Sequence, residues 1–148
     1  MTDRNPLIQL MMVDDNEDDQ ILFRNAFSRS VHFRIGELAV DGEQALEKLG
    51  RVSNRVGSSP PALVLLDINL PKRDGFQILS ELKKDPFLRS IPVVILSTSS
   101  RQEDVRRALE LGAASYLCKP STQEGLRDLV ESFDRYWGET SILPTRGV

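Results

Sequence analysis

Four apolar runs of this chain stop on groups that can do chemistry. "LIQLMMV" runs into Asp14-Asp15, and "ALVLLD" closes on Asp67, two residues before Asn69. "IPVVILS" ends in Ser97 with Thr98 behind it, and "ASYLC" is followed by Lys119-Pro120. A carboxylate at the edge of a core is costly unless it is paired or bound to a metal. Three carboxylates brought together would also raise one another's pKa. A hard divalent cation removes that conflict. Mg²⁺ keeps several waters and takes one or two carboxylates plus a phosphate oxygen. Lys119 adds a point charge suited to a phosphoryl group. In such a site Asp67 is a ligand and a candidate nucleophile.

These groups meet only if the elements before them lie side by side. Short apolar runs alternate with helix-period segments along the chain. Leu7 to Val13 reads as a first strand. A helix follows with Leu22, Phe23, Ala26 and Phe27 on one stripe, its first turn carrying Glu17, Asp18 and Asp19 as N-terminal charges. "FRIGELAV" is a weaker strand, interrupted by Gly36 and Glu37, and belongs at an edge. "DGEQALEKLG" predicts a short helix ended by Gly50, and the polar stretch Arg51 to Pro61 a loop. "ALVLLD" and "IPVVILS" are apolar throughout, as central parallel strands are. "GFQILSELKKD" lies between them as a helix stopped by Pro86. Ser100 to Glu103 and Ser121 to Glu124 read as capping boxes. The first opens a helix burying Val105, Ala108 and Leu109. The second opens a helix with Leu126, Leu129, Val130, Phe133 and Trp137 on one stripe.

Five βα units in series predict an α/β fold with a parallel sheet covered on both faces. The expected architecture is a flavodoxin-like three-layer sandwich, strand order 2-1-3-4-5, with five helices. Ligands in such folds sit outside the carboxyl ends of the strands, where the four reactive runs deliver their groups. The expected domain spans 7–137, with 138–148 a short tail and no output domain.

Composition agrees with one globular unit: 148 residues, 40% hydrophobic, 28% charged, net charge −3. That balance gives no general attraction to nucleic acid or membrane. A single cysteine, Cys118, makes no internal disulfide and reads as a small buried apolar residue. The one histidine, His32, shows no partner signal. With no signal peptide or transmembrane run, the expected location is the cytoplasm.

"VDD" at 13–15, "LLDINLPKRDG" at 65–75, "PVVILSTS" at 92–99 and "YLCKP" at 116–120, in this order and each at a strand end, form a pattern. The chain resembles the receiver domains of two-component response regulators over roughly residues 7 to 136. The resemblance implies that Asp67 is the phosphoacceptor. It implies that Asp15 and Asp67 hold Mg²⁺ directly, Asp14 through water and Asn69 through its backbone carbonyl. Lys119 would hold a phosphoryl oxygen, Ser97 would be the switch hydroxyl, and Tyr116 the aromatic coupled to it. Lys119-Pro120 would be a cis peptide.

The Arg51–Pro61 loop, "STSS" after the fourth strand and the tail "RYWGETSILP" are similar to the single-domain regulators paired with bacterial phytochromes. The resemblance thus implies a sensor histidine kinase partner, phytochrome-type, with Ile21, Asn25 and Ser121 as candidate pairing residues. It implies output by protein contact or phosphorelay. A homodimer through the strand 4–helix 5 side and the Tyr136-Trp137 segment is expected. Ser99 is small where many receivers carry a charged or amide side chain, which predicts a moderate rate of dephosphorylation. Such a protein is a phosphoacceptor rather than an enzyme. A haloacid-dehalogenase-type phosphatase would need an acid at position 69, where this chain has Asn. A non-phosphorylated pseudo-receiver would have lost an acidic residue, the acceptor or the lysine, and none is lost.

Overall fold

The computed structural model describes residues 7–53, 60–71 and 74–144. The elements run β1 (Ile8–Val13), α1 (Glu17–Phe27), β2 (Phe33–Ala39), α2 (Gly42–Ser53), β3 (Leu63–Asp67), α3 (Gly75–Lys84), β4 (Val93–Ser97), α4 (Gln102–Glu110), β5 (Ser115–Cys118) and α5 (Gln123–Arg135). A π-helical turn, Tyr136–Thr140, continues α5. All strand pairs are parallel, and the sheet order is β2-β1-β3-β4-β5. The expected three-layer sandwich is therefore the observed one.

Two cores fill the faces of the sheet, and strand periodicity divides them. Met11, Val13, Val64, Leu66, Val93 and Ile95 face α2, α3 and α4, meeting Leu49, Leu79 and Ala108. Leu10, Met12, Leu63, Leu65, Val94 and Leu96 face α1 and α5, meeting Phe23, Phe27, Val130 and Phe133. β3 and β4 are buried at every position, which is why their sequences show no alternation. In β2 the register with β1 shifts between Leu10 and Met11, leaving Gly36 as the extra residue of a bulge. The bulge changes the phase of the strand. Phe33 and Ile35 precede it on the α1/α5 face, and Ala39 after it reaches the opposite face.

Several local expectations are corrected. α2 runs past Gly50 to Ser53, because Gly50 has no positive φ there; Gly112, at φ 105°, is the glycine that ends a helix, α4. The Ser100 capping box does not form: α4 starts after Arg101, with no side-chain cap. At the last helix the cap is Thr122, one residue later than expected, accepting from the Gly125 N–H. Leu109 is half exposed and Cys118 is exposed, because the sheet ends at β5 and little lies beyond to cover them. Lys119-Pro120 is trans. Among the described residues no helix is long and apolar enough to cross a membrane.

Candidate functional site

The carboxyl ends of β1, β3, β4 and β5 deliver their groups to one place. Asp14, Asp15 and Asp67 each offer an oxygen, and these oxygens lie within 4.8 Å of one another. Asp14 and Asp67 are buried, whereas Asp15 is exposed. The Lys119 Nζ donates to Asp14 Oδ2 at 2.7 Å, to Asp67 Oδ2 at 3.0 Å, and to Asp19 Oδ2 at 2.9 Å. Burial pushes the Asp14 carboxyl above its usual range, with the Lys119 and Asn16 donors offsetting part of that. Burial would lower the Lys119 ammonium, but the Asp14 and Asp19 hydrogen bonds and the Asp67 charge outweigh it and hold the group above its ordinary range.

Local backbone structure fixes these side chains. Asn16 donates its N–H to Asp14 Oδ1 at 2.9 Å and caps α1 by accepting from the Asp19 N–H. Gln20, buried on α1, donates its Nε2 to the Asp14 carbonyl at 2.7 Å and to that of Ala39 at 3.3 Å, tying α1 to the ends of β1 and β2. Asp67 Oδ1 accepts from the Asn69 N–H at 2.9 Å. The chain then returns so closely that a Cβ on Gly75 would lie 2.5 Å from the Asp67 carbonyl oxygen and from Ile68 Cα. Asp74 caps α3 at that point by accepting from the Gln77 N–H.

Ser97 is fully buried beside Asp67, and its Oγ accepts from the Ser99 N–H at 3.0 Å. Tyr116 is half-buried, and its hydroxyl donates to the Ser99 carbonyl at 2.9 Å. Ser99 Oγ donates to Asp104 Oδ2 at 2.7 Å, and Arg101 also holds Asp104. So Ser97 and Tyr116 meet through the backbone of Ser99 rather than through each other. Ser99, read from sequence only for its small size, is the junction of this loop.

The structure brings together Asp14, Asp15, Asp67 and Lys119, with Asn69 alongside. Sequence reasoning missed Asp19 as a member. Helical side chains lean toward the N-terminus, so a first-turn acid on α1 leans back to the end of β1. That lean was the available signal.

Comparisons with known proteins agree with this geometry. Residues 10–131 match the response regulator receiver domain. The chain is 41% identical over 128 residues to the "Probable methanogenesis regulatory protein FilR2" of Methanothrix harundinacea, covering 86% of this chain and 82% of that protein. It is 35% identical over 140 residues to "Response regulator Rcp1" of Synechocystis, covering 95% of each. The crystal structure of the phosphorylated cyanobacterial phytochrome response regulator RcpA superposes with a TM-score of 0.84 at 34% identity, covering 95% of this chain and all of that one. The Mn²⁺-bound form of Rcp1 gives 0.81 at 34%, covering 93% and 99%. With the match spanning most of its length, the chain belongs to the response regulator receiver domain family.

Proposed function

We propose that this chain is a phosphoacceptor of two-component signalling, taking a phosphoryl group on Asp67 from a sensor histidine kinase in a Mg²⁺-dependent reaction. The observation that carries the reading is the Lys119 ammonium held between the carboxylates of Asp14 and Asp67, with Asp15 beside them. The donor set fits a hard divalent cation. It is all oxygen, and one of its carboxylates, Asp14, is buried, with its carboxyl pushed above the usual range chiefly by that burial and, to a lesser degree, by the Asp67 charge. Asp14, Asp15, Asp67 and the Asn69 carbonyl would hold the cation, which when bound neutralises charge on the transferring group.

Each residue then has a task. An Asp67 oxygen attacks phosphorus, the bond to the donor nitrogen breaks, and an acyl phosphate forms. Lys119 neutralises a phosphoryl oxygen. The Ser97 hydroxyl turns from the Ser99 N–H toward the phosphoryl group. Ser99 is then drawn with it, and Tyr116, bonded to the Ser99 carbonyl, registers the change. The coupling needs only about 1–3 kcal/mol. Position 69 offers an amide side chain and no acid, so the reading is of a signalling protein, not a D-x-D phosphatase.

A phytochrome-type kinase is the favoured donor. Support comes from the phytochrome regulator RcpA, alike over nearly its whole length. Ile21, Asn25 and Ser121 are all exposed for contact with it. Output by protein contact or onward phosphotransfer is part of the proposal, with the receiver domain at 7–137. A homodimer through the strand 4–helix 5 side and C-terminal segment is part of the proposal. Leu109, Tyr136 and Ile142, all exposed on those elements, support it. Location in the cytoplasm goes with a kinase donor.

The test is incubation with acetyl phosphate and Mg²⁺, read by intact mass and by elution volume. A phosphoryl adduct is expected, lost with EDTA and in Asp67→Asn. A folded protein with no adduct would overturn the reading in favour of a pseudo-receiver. A shift in size with the adduct would make the dimer the output.

A further inference from the structure

An ammonium has three N–H donors and no more. In Lys119 all three are used, by Asp14, Asp19 and Asp67 at 2.7, 2.9 and 3.0 Å. Two of these acceptors belong to the oxygen cluster with Asp15. Asp19 stands outside that cluster, on the first turn of α1. Its place is fixed from both sides. Its own N–H is bonded to Asn16 Oδ1, and its neighbour Gln20 is pinned to the carbonyls of Asp14 and Ala39.

Resting on the proposed phosphoacceptor reading, we infer that Asp19 is the holding partner of Lys119. It keeps the ammonium in the site when Asp14 and Asp67 turn to a divalent cation or a phosphoryl group. The charge balance requires such a group. A dication among Asp14, Asp15 and Asp67 competes for the oxygens Lys119 uses and repels its ammonium. The lysine stem has four flexible carbons, and an ammonium short of partners swings into water. Asp19 is the one acceptor of the three that owes nothing to the cation. Its side chain is only 30% exposed. Asp19 touches no transferring group. It acts through Lys119 and is a positioning residue.

The experiment is amine-selective labelling of the full chain, with the Lys119 peptide quantified by mass spectrometry, with and without saturating Mg²⁺. Wild-type Lys119 stays protected in both conditions. In Asp19→Asn its labelling rises roughly threefold to fivefold with Mg²⁺ and stays within about twofold of wild type without it. Asp19→Glu restores most of the protection. An equal rise in both conditions would indicate a loosened fold and overturn the inference, as would no rise at all. The acetyl phosphate adduct is measured on the same wild-type preparation. A phosphorylated wild type with Lys119 labelling indifferent to Asp19 removes the holding role alone. A wild type that takes up neither cation nor phosphoryl group removes both proposals.

Discussion

Gly75 sets the tightest constraint at the scale of single residues. Its neighbours at 2.5 Å are backbone atoms of Asp67 and Ile68, and backbone does not swing aside as a side chain does. Gly75→Ala must push the start of α3 away from the Asp67 and Ile68 backbone, a form of overpacking that costs about 1–3 kcal/mol. Urea unfolding measures it, and a loss under about 0.5 kcal/mol would show that the start of α3 yields freely. Side chains at this scale differ in how openly the sequence declares them. Asp14, Asp15, Asp67 and Lys119 stand out because a charge that ends an apolar run needs a reason. Asp19 does not stand out, because an acid in the first turn of a helix already has one. Cys118 misleads in the other direction. Its type suggests burial, but its place on the last strand of the sheet leaves it exposed. Ser99 looks like the absence of a larger side chain, yet its N–H, carbonyl and hydroxyl are all engaged.

Elements are held to one another by a second polar cluster, away from the candidate site. Asp134, buried on α5, accepts from Ser30 Oγ at 2.6 Å and from the Val31 and His32 N–H groups at 3.1 Å each. These bonds clamp the turn between α1 and β2, and the His32 carbonyl accepts in turn from the Ile8 N–H that opens β1. The π-helical turn then brings Gly138 against the His32 ring and Glu139 within 3.3 Å of its Nε2. Asp134→Ala leaves several donors without their partner and should cost about 1.5–3 kcal/mol, the range for hydrogen bonds to a charged group. Denaturant melts report the cost. Hydrogen exchange should show the loss at Ile8, and unchanged protection there would refute the clamp. None of this was visible in the helical stripe of α5, which marks the apolar face and is silent about a carboxylate at its edge. Caps were partly legible. Thr122 and Ser121 both suit an N-cap, and backbone geometry chooses between them. Gly50 suits a helix stop only where φ turns positive, which composition does not reveal.

At the scale of the whole molecule, the described residues form a five-stranded parallel sheet whose polar end carries three carboxylates on one ammonium, with Asp15 beside them. A folded chain that binds Mg²⁺ as proposed gains stability by mass action, about 2.7 kcal/mol at a hundredfold excess over Kd. Thermal melts with Mg²⁺ and with EDTA should show that gain in the wild type and lose it in Asp15→Asn. Asp15 is exposed, so its replacement should leave the metal-free melt within about 0.5 kcal/mol of wild type. An undiminished Mg²⁺ effect in Asp15→Asn would place the cation elsewhere. The architecture was the most legible feature at any scale. β3 and β4, apolar up to their last residue, read as central, and the interrupted β2 reads as an edge. One consequence concerns the route by which the chain acquires its chemistry. Lys119 meets Asp14 across 105 positions of sequence, Asp19 across 100 and Asp67 across 52. Contacts of such span are slow to close, because the loop-closure entropy is lost before the contact forms. A half-folded chain in which these contacts are still open has the acids without this counter-ion. Under the proposed function, competence to be phosphorylated would then be a certificate of finished folding, keeping immature copies out of the circuit.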